Sequence, residues 1–308
     1  MIALTKLRDL DLAAPSAPGR TPYLSAASGL ACMHSYMYVV ADDELHLGMF
    51  RATGGDPGHL IELFDGKLPD SKADRKRQKP DLEALTSLPP SSDYPHGALF
   101  ALGSGSTRDR RMGALLTLDA QGAPVGQPRA IDCSALLAPL ADHFPSLNIE
   151  GAAVCDGELR LFQRGNRQYP MNAIIRFPLA KVLAAFASGR TGAIDPLAIH
   201  NVDLGAIGGI PYSFTDAAPL PDGDMVFTAV AEDTLDSYND GACCGAAIGV
   251  VGSDGSLRSL WPLDHPYKVE GVDARMDGDV LRLLLVTDAD DAGIPASLFA
   301  VALQKQAR

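Results

Sequence analysis

The chain has 308 residues, 46% of them hydrophobic, and a formal charge of −12 from 26 Lys and Arg against 38 Asp and Glu. That apolar content excludes a disordered chain, and the lack of any apolar run of about 18 residues argues against a membrane-spanning helix. The acidic balance argues against nucleic acid or an anionic membrane surface as the partner.

Residues 1–12 lack the apolar centre of a secretion signal. Within them, residues 6–12 alternate leucine with charge and predict a strand. From Ser28, two short apolar runs joined by His34-Ser35 predict a hairpin that ends in Asp42-Asp43-Glu44. A third strand is predicted over 45–51. The long loop 65–80 follows, and its basic run 72–79 is read as solvated. The pattern returns at Glu83, with the hairpin loop lengthened between Pro89 and Pro95. Its second strand runs into Gly103-Ser104-Gly105-Ser106-Thr107, whose N–H and hydroxyl groups suit an anion. Arg108, Arg110 and Arg111 follow directly, and 113–119 predicts another strand. A short helix is predicted over 134–143.

The third copy starts at Glu150, turns at Asp156-Gly157 and ends in Gln163-Arg164-Gly165-Asn166. Asp-Gly between two apolar runs is a strong hairpin signal. A strand over 173–178 and a helix over 180–188 come next. The fourth copy starts at Asp216, turns at Asp222-Gly223 and ends in Glu232-Asp233. A turn is predicted at Asn239-Asp240-Gly241, before Cys243-Cys244 and a strand over 246–251. The fifth copy starts at Glu270, turns at Asp277-Gly278 and ends in Thr287-Asp288, with a last strand over 297–303.

The anchors 28, 83, 150, 216 and 270 lie 55, 67, 66 and 54 residues apart, and the interval closing through the termini is 66. A repeat of this kind, with three or four short strands per unit, predicts an all-β fold: a single β-propeller spanning 1–308. Five blades are expected, with six as the alternative. The strand at 6–12 would join the last blade and close the ring. A β-sandwich, or two domains, is the rival. A closed ring leaves no sheet edge to pair, so a monomer is expected. Five cysteines without a C-x-x-C pair argue against zinc or a disulfide framework and fit a reducing cytoplasm.

First strands line the channel of a propeller, so Glu83, Glu150, Asp216 and Glu270 are expected to converge. Their mutual repulsion requires compensation by protons, arginines or a bound cation. Oxygen ligands alone point to Ca²⁺ before Mg²⁺. The competing reading has each carboxylate accept backbone N–H groups and tie blades together. With its Glu150-Gly151 and Glu270-Gly271 anchors, Asp-Gly turns and acidic strand ends, the chain resembles the phytase-like and esterase-like bacterial propellers. More distantly it is similar to the regucalcin and gluconolactonase propellers. The resemblance implies a channel divalent cation held by first-strand carboxylates.

These readings combine into a metal-dependent hydrolase of an ester or phosphoester. Glu83, Glu150, Asp216 and Glu270 would hold the cation, and Asp43 or Asp288 would act as base. Ser104, Ser106, Arg108, Arg110, Arg111, Arg164 and Asn166 would bind a small anionic substrate. The alternative is a non-catalytic propeller that binds a small ligand or a protein.

Overall fold

In the computed structural model, which describes residues 1–188, 192–235 and 241–305, five four-stranded antiparallel sheets form a ring. The predicted turn residues Asn239 and Asp240 lie outside the described residues. Strand β1 (Thr5–Asp9) belongs to the last sheet. Blade 1 holds β2 (Ala27–Met33), β3 (Tyr36–Ala41), β4 (His46–Arg51) and β5 (His59–Glu62). Blade 2 holds β6 (Leu82–Leu88), β7 (Ala98–Gly103), β8 (Met112–Thr117) and β9 (Arg129–Asp132). Blade 3 holds β10 (Ile149–Cys155), β11 (Glu158–Gln163), β12 (Asn172–Pro178) and β13 (Ala198–Val202).

A two-stranded ribbon, β14 (Ala206–Ile207) and β15 (Ile210–Pro211), precedes blade 4. Blade 4 holds β16 (Ser213–Pro219), β17 (Met225–Glu232), β18 (Cys243–Val251) and β19 (Leu257–Pro262). Blade 5 holds β20 (Val269–Asp277), β21 (Val280–Thr287), β22 (Ser297–Gln304) and, outermost, β1. The first strands pack in a circle, β2 on β6, β6 on β10, β10 on β16, β16 on β20 and β20 on β2. The fold is thus a five-bladed propeller closed by its N-terminal strand, not a sandwich, and no sixth blade occurs among the described residues.

The hairpins form for the local reason read from the sequence. Asp156 and Gly157 have φ of 53° and 75°, which matches the twist of the flanking strands. His34 takes the same conformation at φ 52°. Between blades the core is aromatic and aliphatic. Phe214 of blade 4 meets Phe162 of blade 3 and Phe227 of its own sheet edge-on, at 5.2 and 5.0 Å.

Two segments depart from expectation. The basic run in 65–80 contains a helix, α1 (Lys72–Gln78), capped by the Ser71 hydroxyl. Its Lys, Ala, Arg and Gln residues favour helix, and it lies over the channel mouth rather than out in solvent. The predicted helix at 134–143 splits into α2 (Ser134–Leu137) and a 3₁₀ turn over Ala138–Asp142, with Pro139 at its start. Helix α3 (Leu179–Ser188) follows β12 as predicted. None of the described helices is long and apolar enough to cross a membrane.

Candidate functional site at the channel mouth

Every first strand carries a one-residue bulge in the same place. Ser28, Glu83, Glu150, Thr215 and Glu270 are the extra residues against the second strand. A bulge re-aims a side chain. Ser28, Glu83, Glu150 and Glu270 line a cavity of about 310 Å³ at one end of the channel. The second strands end around the same opening and supply Asp42, Asp43, Arg164, Glu232 and Asp288.

The fourth anchor of the ring is Thr215, not Asp216. Thr215 turns away from the cavity and donates to the Val269 carbonyl at 2.6 Å. Asp216 stands one residue further along, where the other blades have Gly29, Ala84, Gly151 and Gly271. First strands come together tightly there. A Cβ on Gly151 would sit 3.0 Å from the Ala217 nitrogen, and one on Gly271 3.0 Å from the Leu30 nitrogen. Asp216, fully buried, accepts from the Val272 N–H at 2.8 Å, with the backbones of Ala217 and Leu30 close by, while its Oδ1 has no hydrogen-bond partner among the described residues. It ties blade 4 to blade 5. The expected four-acid calcium ring therefore does not fit this chain. Asp216→Ala is expected to cost about 1 to 3 kcal/mol by stranding the Val272 N–H. Asp216→Asn, which keeps an acceptor, is expected to cost less. Urea unfolding of both variants checks this.

Around the cavity the charges fall into two groups. In the first, Asp42, Asp81 and Glu83 have carboxylate oxygens within 4.8 Å of one another, a spacing able to hold one metal ion. The Lys79 ammonium already lies against two of them, bonding Asp42 and standing 2.8 Å from Asp81. Asp81, whose φ is 57°, also accepts from Ser104 Oγ at 2.6 Å and Arg110 Nη1 at 2.8 Å. Glu83 has no hydrogen bond or ion pair among the described residues. Burial, with Glu150, Asp81 and Asp42 nearby, pushes its carboxyl well above the usual range.

In the second group Arg164 is the hub. Its guanidinium reaches Glu150 at 3.1 Å, Glu232 at 2.7 Å and Glu270 at 3.8 Å. Lys268 stands 3.6 Å from Glu232, 3.7 Å from Glu270 and 2.5 Å from Asp290. Both cations are held charged by these acids. Burial outweighs them at Glu270 and moves that carboxyl well up. Asp288 is pushed up to about 8, also by burial.

The remaining sequence candidates are placed as follows. Asn166 and Arg110 line the cavity. Ser104 and Ser106 lie behind it, bonded to each other and to the Asp81–Arg110 pair, so their loop presents no open anion nest. Arg108 is exposed on a 3₁₀ turn, and neither it nor Arg111 reaches the cavity wall. Asp43 lines the wall but is engaged by Arg20 at 2.9 Å and Arg75 at 3.4 Å. Sequence reasoning missed Lys79, Asp81 and Lys268. They precede the anchors Glu83 and Glu270 by two to four residues, and that offset is the signal that was available.

The raised carboxyls dictate a pH response. The unfolded chain releases these protons near pH 4, whereas folded Asp288 holds its proton to about 8. The folded state binds more protons across that window, so its stability is greatest at the acid end and falls as pH rises. The melting temperature is expected to drop between pH 5 and 8.5, and a flat profile contradicts this.

A family model described as Family of unknown function (DUF6929) matches residues 23–303. No curated protein matches the chain in sequence. Among solved structures, a candidate glycoside hydrolase from Parabacteroides distasonis is similar with a TM-score of 0.51 and 10% identity, over 97% of this chain and 96% of that one. A β-fructofuranosidase from Bombyx mori in complex with sucrose has a TM-score of 0.50 and 11% identity, over 92% of this chain and 61% of that one. At these identities the likeness is one of fold. The phytase-like and regucalcin-like resemblance has no named homologue behind it beyond the shared propeller.

Proposed function

The chain belongs to the DUF6929 family, whose model covers most of its length, and we propose that it is a hydrolase acting on a small polar substrate at the channel mouth. The observation that carries this reading is the Asp42–Glu83 pair facing the cavity. Two carboxyls this close do not both ionise readily, and they share a proton. Burial raises both carboxyls, but Lys79, bonded to Asp42 alone of the two, holds Asp42 down while Glu83 is pushed well up, so the charge falls on Asp42 and the proton on Glu83. Environments that push two such groups apart define an acid and a base. Glu83 protonates the leaving oxygen, and Asp42 takes the proton of the attacking water.

The bond class is C–O cleavage in an ester, lactone or glycoside. A phosphoester fits less well. Lys79, Arg75, Arg110, Arg164, Arg167 and Lys268 all contact carboxylates, which leaves little charge for a phosphate. The two hydrolase-named neighbours share this fold and put glycosides in the screen. All five cysteines are free thiols, which supports a cytoplasmic setting.

A second reading rests on the spacing of Asp42, Asp81 and Glu83. There a hard divalent cation, Ca²⁺ before Mg²⁺, would take the place of the Lys79 ammonium and supply Lewis-acid chemistry. One experiment separates the two: a panel of chromogenic esters, lactones, glycosides and phosphoesters, run with EDTA and with Ca²⁺. The first reading expects turnover that EDTA leaves intact and Glu83→Gln abolishes. Turnover that appears only with Ca²⁺ favours the second. A panel with no turnover under either condition contradicts both.

A further inference from the structure

The wall of the cavity is short of donors. Ten carboxylates and seven cationic side chains line it. Six of those cations contact acids as described, and the seventh, Lys76, is engaged as well. The acceptors are not all used. Glu270 is 3% exposed, yet its Oε1 receives no hydrogen bond from the described residues. The same holds for Glu232 Oε1, on the neighbouring blade. Lys268 and Arg164 stay 3.6 to 3.8 Å from these oxygens, while the closest contact of Lys268 is with Asp290. A buried acceptor without a donor is costly. A ligand that brings both N–H donors and positive charge removes that cost, whereas an anion adds to it.

We infer that the substrate of this cavity carries a protonated amine, seated between Glu232 and Glu270 while the bond to be cleaved lies toward Glu83 and Asp42. The inference rests on the cavity being the substrate site proposed above. It names the substrate class that site accepts, a small amino compound such as an amino sugar or amino ester. The amine end fixes orientation, and the orphan acceptors discriminate against isosteres that lack it.

The test uses matched probes on the purified, EDTA-treated chain. Glucosamine, glucose and glucose 6-phosphate form one series at pH 6, and ethanolamine against ethylene glycol forms another. Affinities come from ligand-observed NMR and thermal shift. Each amine is expected to bind about tenfold or more tightly than its neutral partner, and more weakly as salt is added. Glucose 6-phosphate is expected to bind worst. Glu270→Gln and, separately, the less enclosed Glu232→Gln are expected to erase the preference, with circular dichroism confirming that each is folded. Equal binding of amine and neutral partner, tighter binding of glucose 6-phosphate, or stabilisation by Ca²⁺ alone overturns the inference. Turnover of a neutral substrate that Glu83→Gln abolishes, without amine preference, sinks this inference and leaves the hydrolase reading standing. Amine preference with turnover intact in Glu83→Gln supports the inference and sinks the hydrolase reading.

Discussion

Glu83→Gln removes turnover by a factor of about 10² to 10⁴ and leaves the fold at least as stable as before. Gln is isosteric and retains an N–H donor, but it has no proton to give. Loss of the general acid therefore shows in the chemical step rather than in substrate affinity. The stability half follows from the surroundings of the side chain. Glu83 is enclosed with Asp42, Asp81 and Glu150 close by, and it has no bonded cation of its own. Its folded-state carboxyl is raised, so it contributes stability at low pH that is lost as pH climbs through the folded value. Gln does not titrate. The variant is thus expected to melt near the parent at pH 5 and above it at pH 8. A variant that loses both activity and several degrees of melting temperature at pH 8 points to a structural role instead.

The second large effect concerns Arg164. It is the shared partner of Glu150, Glu232 and Glu270 across three blades. Arg164→Met keeps much of the stem's apolar contact and deletes the charge, which strands three enclosed carboxylates around Lys268. Removing one member of a buried charge network typically costs about 3 to 5 kcal/mol. The cost has a direction in pH. Arg164 holds down the carboxyls of Glu150 and Glu270, which burial raises, so without it both keep their protons to higher pH and folding of the variant is favoured by acid. Urea unfolding is expected to show the full loss at pH 8 and most of it recovered near pH 5. A loss independent of pH contradicts the electrostatic account and assigns Arg164 a packing role.

The fold was legible because its signals are local and repeated. Asp-Gly turns and period-two apolar runs recur at a regular interval, and that interval closes only through both termini. The outer strands were not legible. His59–Glu62 and Arg129–Asp132 are four residues long and half exposed, too short for an alternation to register. Among the site residues, the acidic anchors stood out because a bulge position aimed at a channel has no use for an apolar side chain. The shift at Asp216 arose because Thr215 and Asp216 are both polar and only one is acidic. Which of them faces the cavity is settled by the strand pairing, a long-range fact.

Lys79 looked like the end of a solvated basic run. Its ammonium is nonetheless the main counter-charge of the Asp42–Asp81 group, because α1 folds back over the mouth. The arginines misled in the opposite sense. Arg108, Arg110 and Arg111 read as an anion clamp by adjacency, yet only Arg110 turns inward, and there it serves Asp81. The charge of −12 thus has a local counterpart, a cavity wall in which acids outnumber cations and some remain without donors.

The proton on Glu83 is the centre of the account, and infrared spectroscopy reads it without any substrate. The difference spectrum between the parent protein and Glu83→Gln at pH 7 is predicted to contain the C=O stretch of a neutral, weakly hydrogen-bonded carboxylic acid that the variant lacks. If that band is absent and the difference shows only the stretches of an ionised carboxylate, Glu83 is charged at neutral pH and the general-acid assignment fails.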